Sequence, residues 1–138
     1  MKQAFHTVTL NSKGARLYEF TEAAHSFVRG SGIKDGLLTC FIRHTSASLV
    51  IQENADPNVQ RDLIDAFDRL APQGDLYVHD DEGPDDMPSH IKSALTQVSL
   101  GVPVRGGQLA LGTWQGLYLF EHRTAPHRRE VMLHLIGE

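Results

Sequence analysis

The chain has a single cysteine, Cys40, which excludes an internal disulfide and any cysteine-rich metal site. Long apolar runs are missing as well. The longest, such as Leu37-Leu38-Thr39-Cys40-Phe41-Ile42, fall far short of the roughly 20 residues a membrane-spanning helix needs. The opening Met1-Lys2-Gln3-Ala4-Phe5-His6-Thr7 has no apolar signal segment and alternates in polarity like a strand. There is no basic surplus either: the net charge is −4 with histidines neutral, and the pI is near 6.0. Duplex binders need a basic stripe to neutralise phosphates, so nucleic acid is not an expected partner. Together these absences predict a cytoplasmic protein with no membrane partner. What is present is ordinary for a globular domain: 138 residues, 41% hydrophobic and 22% charged. That is enough chain for one domain, residues 1–138, with its own core.

The hydrophobic pattern predicts an α+β fold with a mainly antiparallel sheet and two or three helices. Thr7 to Leu10 and Ala15 to Phe20 read as extended segments, and Thr21 reads as the N-cap of a short helix through Val28, with Gly30 just past its end. Leu37 to Arg43 reads as a buried central strand and Leu49-Val50-Ile51 as another. The clearest helix follows Asp56, an N-cap with Pro57 at the first helical position, and ends before Pro72. Its apolar stripe is Val59, Leu63, Ile64, Phe67 and Leu70. A further helix is expected from Ser89 to about Val98, with Ile91, Ala94, Leu95 and Val98 inward. A hairpin turning at Gly106-Gly107 and two alternating segments, Gly116 to Glu121 and Glu130 to Ile136, complete the β content.

Charge is segregated along the chain. Six of the seventeen acidic residues lie between Asp75 and Asp86, while Arg123, Arg128 and Arg129 cluster near the end. This combination suits a cation together with a phosphorylated ligand, or simply a solvated loop and strand end. Eight histidines are present. His6, His25 and His134 fall inside regular elements and read as packed or solvated rings. His44, His79 and His90 fall at strand ends, loops or a helix start, where functional groups concentrate. His79 and His90 bracket five carboxylates, two prolines and a glycine. Histidine with carboxylate favours zinc, manganese or magnesium over calcium. In His44-Thr45-Ser46-Ala47-Ser48 the short hydroxyls can bond a ligand or satisfy the backbone at a turn. Glu53 and Asn54 precede the Asp56 cap, where a carboxylate can act as base or cation ligand. Trp114, the only tryptophan, sits in Gly112-Thr113-Trp114-Gln115-Gly116, either presenting its indole to a planar ligand or anchoring a bend in the core.

The order of these motifs closely resembles the YjbQ family: His-Thr-Ser-Ala-Ser, Glu-Asn-Ala-Asp-Pro, the histidine-bracketed acidic loop, Leu-Gly-Thr-Trp-Gln-Gly and the Arg-Arg strand. The resemblance runs from about Gly36 to the end, with a weaker N-terminal continuation. It implies a compact β-sandwich with helices, assembled as a homotrimer. It also implies a secondary thiamine-phosphate synthase activity, which joins an aminopyrimidine methyl diphosphate to a thiazole phosphate and releases diphosphate. Carried over by position, it points to His44, Glu53, Asp56 and Arg129 as catalytic. Thr45, Ser46, Ser48, Asn54, Trp114, Gln115 and Glu121 become expected substrate contacts. His44, His79 and His90 become an expected group for a divalent metal, Zn or Mg, with no organic cofactor. The acidic loop differs among family members, so its carboxylates rank below the histidines as ligands. A non-catalytic trimeric binder of a metal or phosphorylated metabolite, or a metal-dependent hydrolase, fits the same residues.

Overall fold

The computed structural model covers residues 1–138. Eight strands and three helices follow one another as β1 (Lys2–Ser12), β2 (Arg16–Glu19), α1 (Thr21–Ser31), β3 (Gly36–Ile42), β4 (Ala47–Glu53), α2 (Pro57–Leu70), α3 (Asp86–Leu95), β5 (Ser99–Arg105), β6 (Gln108–Leu109), β7 (Gln115–Glu121) and β8 (His127–Gly137). Two antiparallel sheets form, in the orders β1-β8-β3-β5-β6 and β2-β7-β4. This is the antiparallel α+β fold the pattern predicts, in the sandwich form the resemblance implies, and β3 is central as expected, paired to β8 on one side and β5 on the other.

Alternation explains how the core forms. Leu38, Cys40 and Ile42 of β3, Leu133 and Leu135 of β8, and Leu117 and Leu119 of β7 all turn inward into one cluster with Ala24 and Val28 of α1. Truncating any such Leu to Ala costs about 2–5 kcal/mol. Cys40 is fully buried there, and burial pushes its thiol up to about 12, which leaves it unreactive. The opposite face of β3 breaks the all-buried expectation, because Leu37 and Phe41 are exposed together with Phe5 and Ile136 of the neighbouring strands. Gly36 and Gly137 pair across β3 and β8 where a Cβ would meet backbone at 2.2 and 2.0 Å, so only glycine permits that approach.

Helix boundaries show where local chemistry overrides the simple pattern. Thr21 is not the N-cap of α1; Phe20 occupies that position, without a side-chain cap. The Thr21 hydroxyl instead donates to Glu19 and accepts the Leu117 N–H, tying the helix start to β7. The helix also runs past Gly30 and ends at Gly32, which takes the left-handed conformation (φ 75°). In α2 the Asp56 carboxylate accepts the Asn58 N–H at 2.9 Å and Pro57 opens the helix, as expected. Its stripe is only half covered, and Leu70 is exposed.

The last helix, α3, departs furthest from expectation. It begins at Asp86, three residues before the expected Ser89, and its buried side is polar: Asp86, Pro88, Ser89, Lys92 and Ser93. The apolar stripe, with Leu95 at 57% and Val98 at 44% exposed, faces out. No helix of the chain is long and apolar enough to cross a membrane.

Candidate metal centre

The inverted burial of α3 arises because its first turn docks onto charged groups. Asp85, just before the helix, gives its carboxylate to Arg123 (Nε, 3.0 Å) and to the Thr124 N–H (2.9 Å), while its carbonyl accepts from Ser89. Asp86, 2% exposed, then stands at the positive end of the helix dipole and takes Arg123 Nη1 on Oδ1 at 2.7 Å. Its other oxygen, Oδ2, faces His79 Nε2 at 2.7 Å and His90 Nε2 at 3.2 Å. Burial alone would raise the Asp86 carboxyl; the His79 hydrogen bond and the Arg123 charge outweigh it and hold the group below the usual range. The same hydrogen bond raises His79 above its ordinary value.

His90 carries the decisive detail. Its Nδ1 lies 3.1 Å from the Thr45 carbonyl, which can only accept, so Nδ1 bears the hydrogen. The other ring nitrogen, Nε2, faces Asp86 Oδ2 at 3.2 Å, a gap that a proton or a metal cation bridges. His79, Asp86 and His90 each offer one ligand atom, all within 4.8 Å of one another. Backbone carbonyl behind one imidazole and guanidinium behind the carboxylate form the outer shell that metal ligands require.

The three-histidine group expected from the sequence therefore forms only in part. His44 Nε2 accepts the Glu130 N–H at 3.1 Å instead, and burial, reinforced by the Arg129 charge, lowers its pKa. Asp86 takes the third position. His44 remains close, since it lines a pocket of about 220 Å³ with Thr45, His90 and Ser93. It also borders a second opening with Arg43 and Glu130. Ser93 Oγ is buried without a partner beside this pocket.

Other expected residues fall into two further groups. Glu121, Arg129, Ser46 and Ser48 belong to a network inside the molecule. Arg129 grips Glu121 through Nε and Nη2 (2.8 and 2.7 Å) and donates to Ser46 Oγ, and Ser48 Oγ lies 2.8 Å from His122 Nε2. Arg129 is 5% exposed, with Nε and Nη2 engaged and Nη1 without a protein partner. Glu53, Asn54, Asp56, Trp114 and Gln115 lie at the far end of the three-stranded sheet. The register pairs Ala47 with Glu121 at one end of β4 and Glu53 with Gln115 at the other, about 20 Å away at ~3.3 Å per residue. There Glu53 accepts the Asp56 N–H, Gln115 accepts the Gly112 N–H, and Trp114 is 62% exposed, so it is no core anchor.

An antiparallel sandwich carrying a two-histidine, one-carboxylate cluster at the start of a polar-faced helix is the class these features define. Comparison places the chain within a family: it belongs to the YjbQ/UPF0047 family, whose model, UPF0047 protein YjbQ-like, matches residues 6–138. It is 50% identical over 138 residues to the UPF0047 protein sll1880 of Synechocystis, covering 99% of this chain and 94% of that protein. To the UPF0047 protein YjbQ of Salmonella typhimurium it is 44% identical, covering 96% of both chains. Among solved structures, a YjbQ/UPF0047 family protein of Clostridium acetobutylicum superposes with a TM-score of 0.88 at 32% identity, covering 95% of this chain and 99% of that one. A hypothetical protein of Aeropyrum pernix gives 0.86 at 27% identity, with both chains fully covered.

Proposed function

We propose that the protein binds a divalent cation of the zinc class through His79, Asp86 and His90 and uses it on a small phosphorylated metabolite. The observation that carries this reading is the convergence of His79, Asp86 and His90, one ligand atom each within 4.8 Å of one another, with the Thr45 carbonyl behind His90 and Arg123 behind Asp86. Bound there, the cation supplies Lewis-acid stabilisation of a phosphoryl oxygen or leaving group. The chain's own residues do the rest. Thr45 orients His90, Arg123 holds Asp86, and His44 and Ser93 line the adjoining pocket with polar groups. Arg43, beside His44 at the second opening, has no carboxylate partner and is free to meet a phosphate there. Within this reading the specific reaction is the coupling of an aminopyrimidine methyl diphosphate with a thiazole phosphate, as the family resemblance implies. The outward apolar stripe of α3 and the exposed face at Phe5, Leu37 and Phe41 favour assembly into the homotrimer, and a trimeric non-catalytic binder is the second reading.

Calorimetric titration of zinc into metal-free protein tests the site. One site per chain is expected, with affinity falling about 100-fold or more in Asp86→Ala and His90→Ala. Unchanged binding in both variants overturns it. Incubating metal-loaded protein with the two phosphorylated substrates then separates the readings. Product that disappears in Asp86→Ala supports the enzyme, and its absence leaves the binder.

A further inference from the structure

The surface carries four clefts, and three of them are lined by charged side chains: Glu19 and Glu22 in one, Asp68, Asp85 and Lys92 in another, Arg43 and Glu130 in a third. The fourth, beside the candidate metal centre, is walled by His44, Thr45, His90, Ser93, Ala94 and Val98, with no carboxylate, ammonium or guanidinium. His44 is itself held in one neutral tautomer. Its Nε2 accepts the Glu130 backbone N–H at 3.1 Å, a group that can only donate, so the ring hydrogen sits on Nδ1. Protonating the ring would set a second N–H against that of Glu130, and Nε2 is not available to a metal. What His44 retains is one fixed donor, Nδ1–H, which has no partner in the protein. Ser93, 6% exposed, adds a buried hydroxyl without a partner, and Ala94 and Val98 supply apolar wall. An enclosed cavity of about 150 Å³ takes a benzene ring; the space here is about 220 Å³.

We infer that this pocket takes the uncharged body of the ligand, a ring-sized organic group whose hydrogen-bond acceptor sits on His44 Nδ1–H. The inference deepens the proposed function and rests on it for the cation at the rim. His44 is then a substrate-binding donor, neither a base nor a metal ligand. Desolvation decides what enters. An anion moved into a pocket without counter-charge loses hydration that one neutral hydrogen bond cannot restore, whereas an apolar ring with one lone pair loses little and gains contact with Ala94 and Val98. Charged groups of the same ligand find their partners outside: Arg43 beyond His44, the wall the two openings share, and in the proposed reading the cation at His90.

Metal-free protein is used for the test, so that its failure is distinct from failure of the zinc titration. Pyridine, uncharged above neutral pH, is the probe; benzene has the same shape without the acceptor. Imidazole ¹⁵N spectra, with His44 assigned by its loss in His44→Phe, should show Nδ1 protonated and Nε2 bare, and pyridine should shift Nδ1 saturably. Benzene should bind about three- to tenfold more weakly, the share of one neutral hydrogen bond. Ala94 is exposed, so Ala94→Leu fills the pocket without disturbing the core and should abolish the pyridine response. The inference fails if His44 in the folded parent does not respond, if the response survives Ala94→Leu, or if benzene binds as tightly as pyridine. It fails equally if inorganic phosphate at constant ionic strength displaces pyridine, because the pocket is then an anion site.

Discussion

Two buried carboxylates, Glu121 and Asp86, meet basic partners in different ways. Glu121 is completely buried and every contact to it is a donor: Ser12 Oγ and Arg129 Nε on one oxygen, Arg129 Nη2 and the His122 and Arg123 N–H groups on the other. Burial would raise its carboxyl, but the Arg129 and Ser12 hydrogen bonds prevail and hold it low. Asp86 is as hidden, yet its Oδ2 faces two imidazole nitrogens, groups that also ligate cations. The saturated cluster is finished as it stands and braces the sandwich. In the proposed reading a cation completes the Asp86 cluster. Satisfaction of hydrogen bonds, rather than burial or residue type, separates a brace from a ligand site.

The sharpest way to break this comparison is to remove each carboxylate in turn. Glu121→Ala strands the Arg129 charge inside the protein and should cost about 3–5 kcal/mol in denaturant unfolding. Asp86→Ala leaves Arg123 its bonds to Asp85 and the Glu82 carbonyl, so the metal-free protein should lose only about 1–2 kcal/mol. Equal losses would erase the distinction between brace and site.

The second test is pH, read at His122, whose backbone N–H joins the brace at Glu121. Burial, helped by the Lys92 charge, pushes this ring down to about 3 from 6.5. In the unfolded chain it takes up a proton near 6.5, whereas in the fold it stays neutral to about 3. The unfolded state therefore binds more protons throughout that window, so stability is complete above it and falls as pH drops through it. The slope should be about 1.4 kcal/mol per pH unit. In His122→Gln, unfolding free energies measured from pH 6.5 to pH 4 should lose about that much slope relative to the parent. Parallel pH profiles would mean that His122 is protonated inside the fold.

The brace was harder to read from sequence than the metal centre, for physical reasons. Strand alternation and the Asp56-Pro57 helix start are local signals, so the antiparallel strands and α2 were legible directly, while the sandwich followed from the resemblance. His79 and His90 stood out because they bracket an acidic loop. Asp86 did not, because the helix was expected to begin at Ser89. Begun at Asp86, it puts Asp86 and His90 four residues apart on one face, a spacing the sequence contains. Ser93 and His122 had no local signal, since their roles depend on which elements pack beside them. The expected site also joined two ends of one sheet, because a motif order along the chain carries no distance.

The smallest effect on the isolated fold concerns the outward face of α3, and it tests why the helix is inverted. If the polar face is buried for the candidate metal centre, the exposed Leu95 at the end of α3 and Val98 just beyond it are left for a neighbouring copy to cover. Such residues contribute little to the monomer, so the double substitution Leu95→Gln and Val98→Gln should shift monomer unfolding by no more than about 0.5 kcal/mol. Assembly should respond instead, because two apolar groups become polar groups that an interface core would have to desolvate. Sedimentation equilibrium should give a trimer mass for the parent and a lower, concentration-dependent mass for the variant. A parent that sediments as a monomer at all concentrations refutes the trimer. A variant that stays fully trimeric places the interface on the other exposed apolar face, at Phe5, Leu37 and Phe41, where the same substitutions can be repeated.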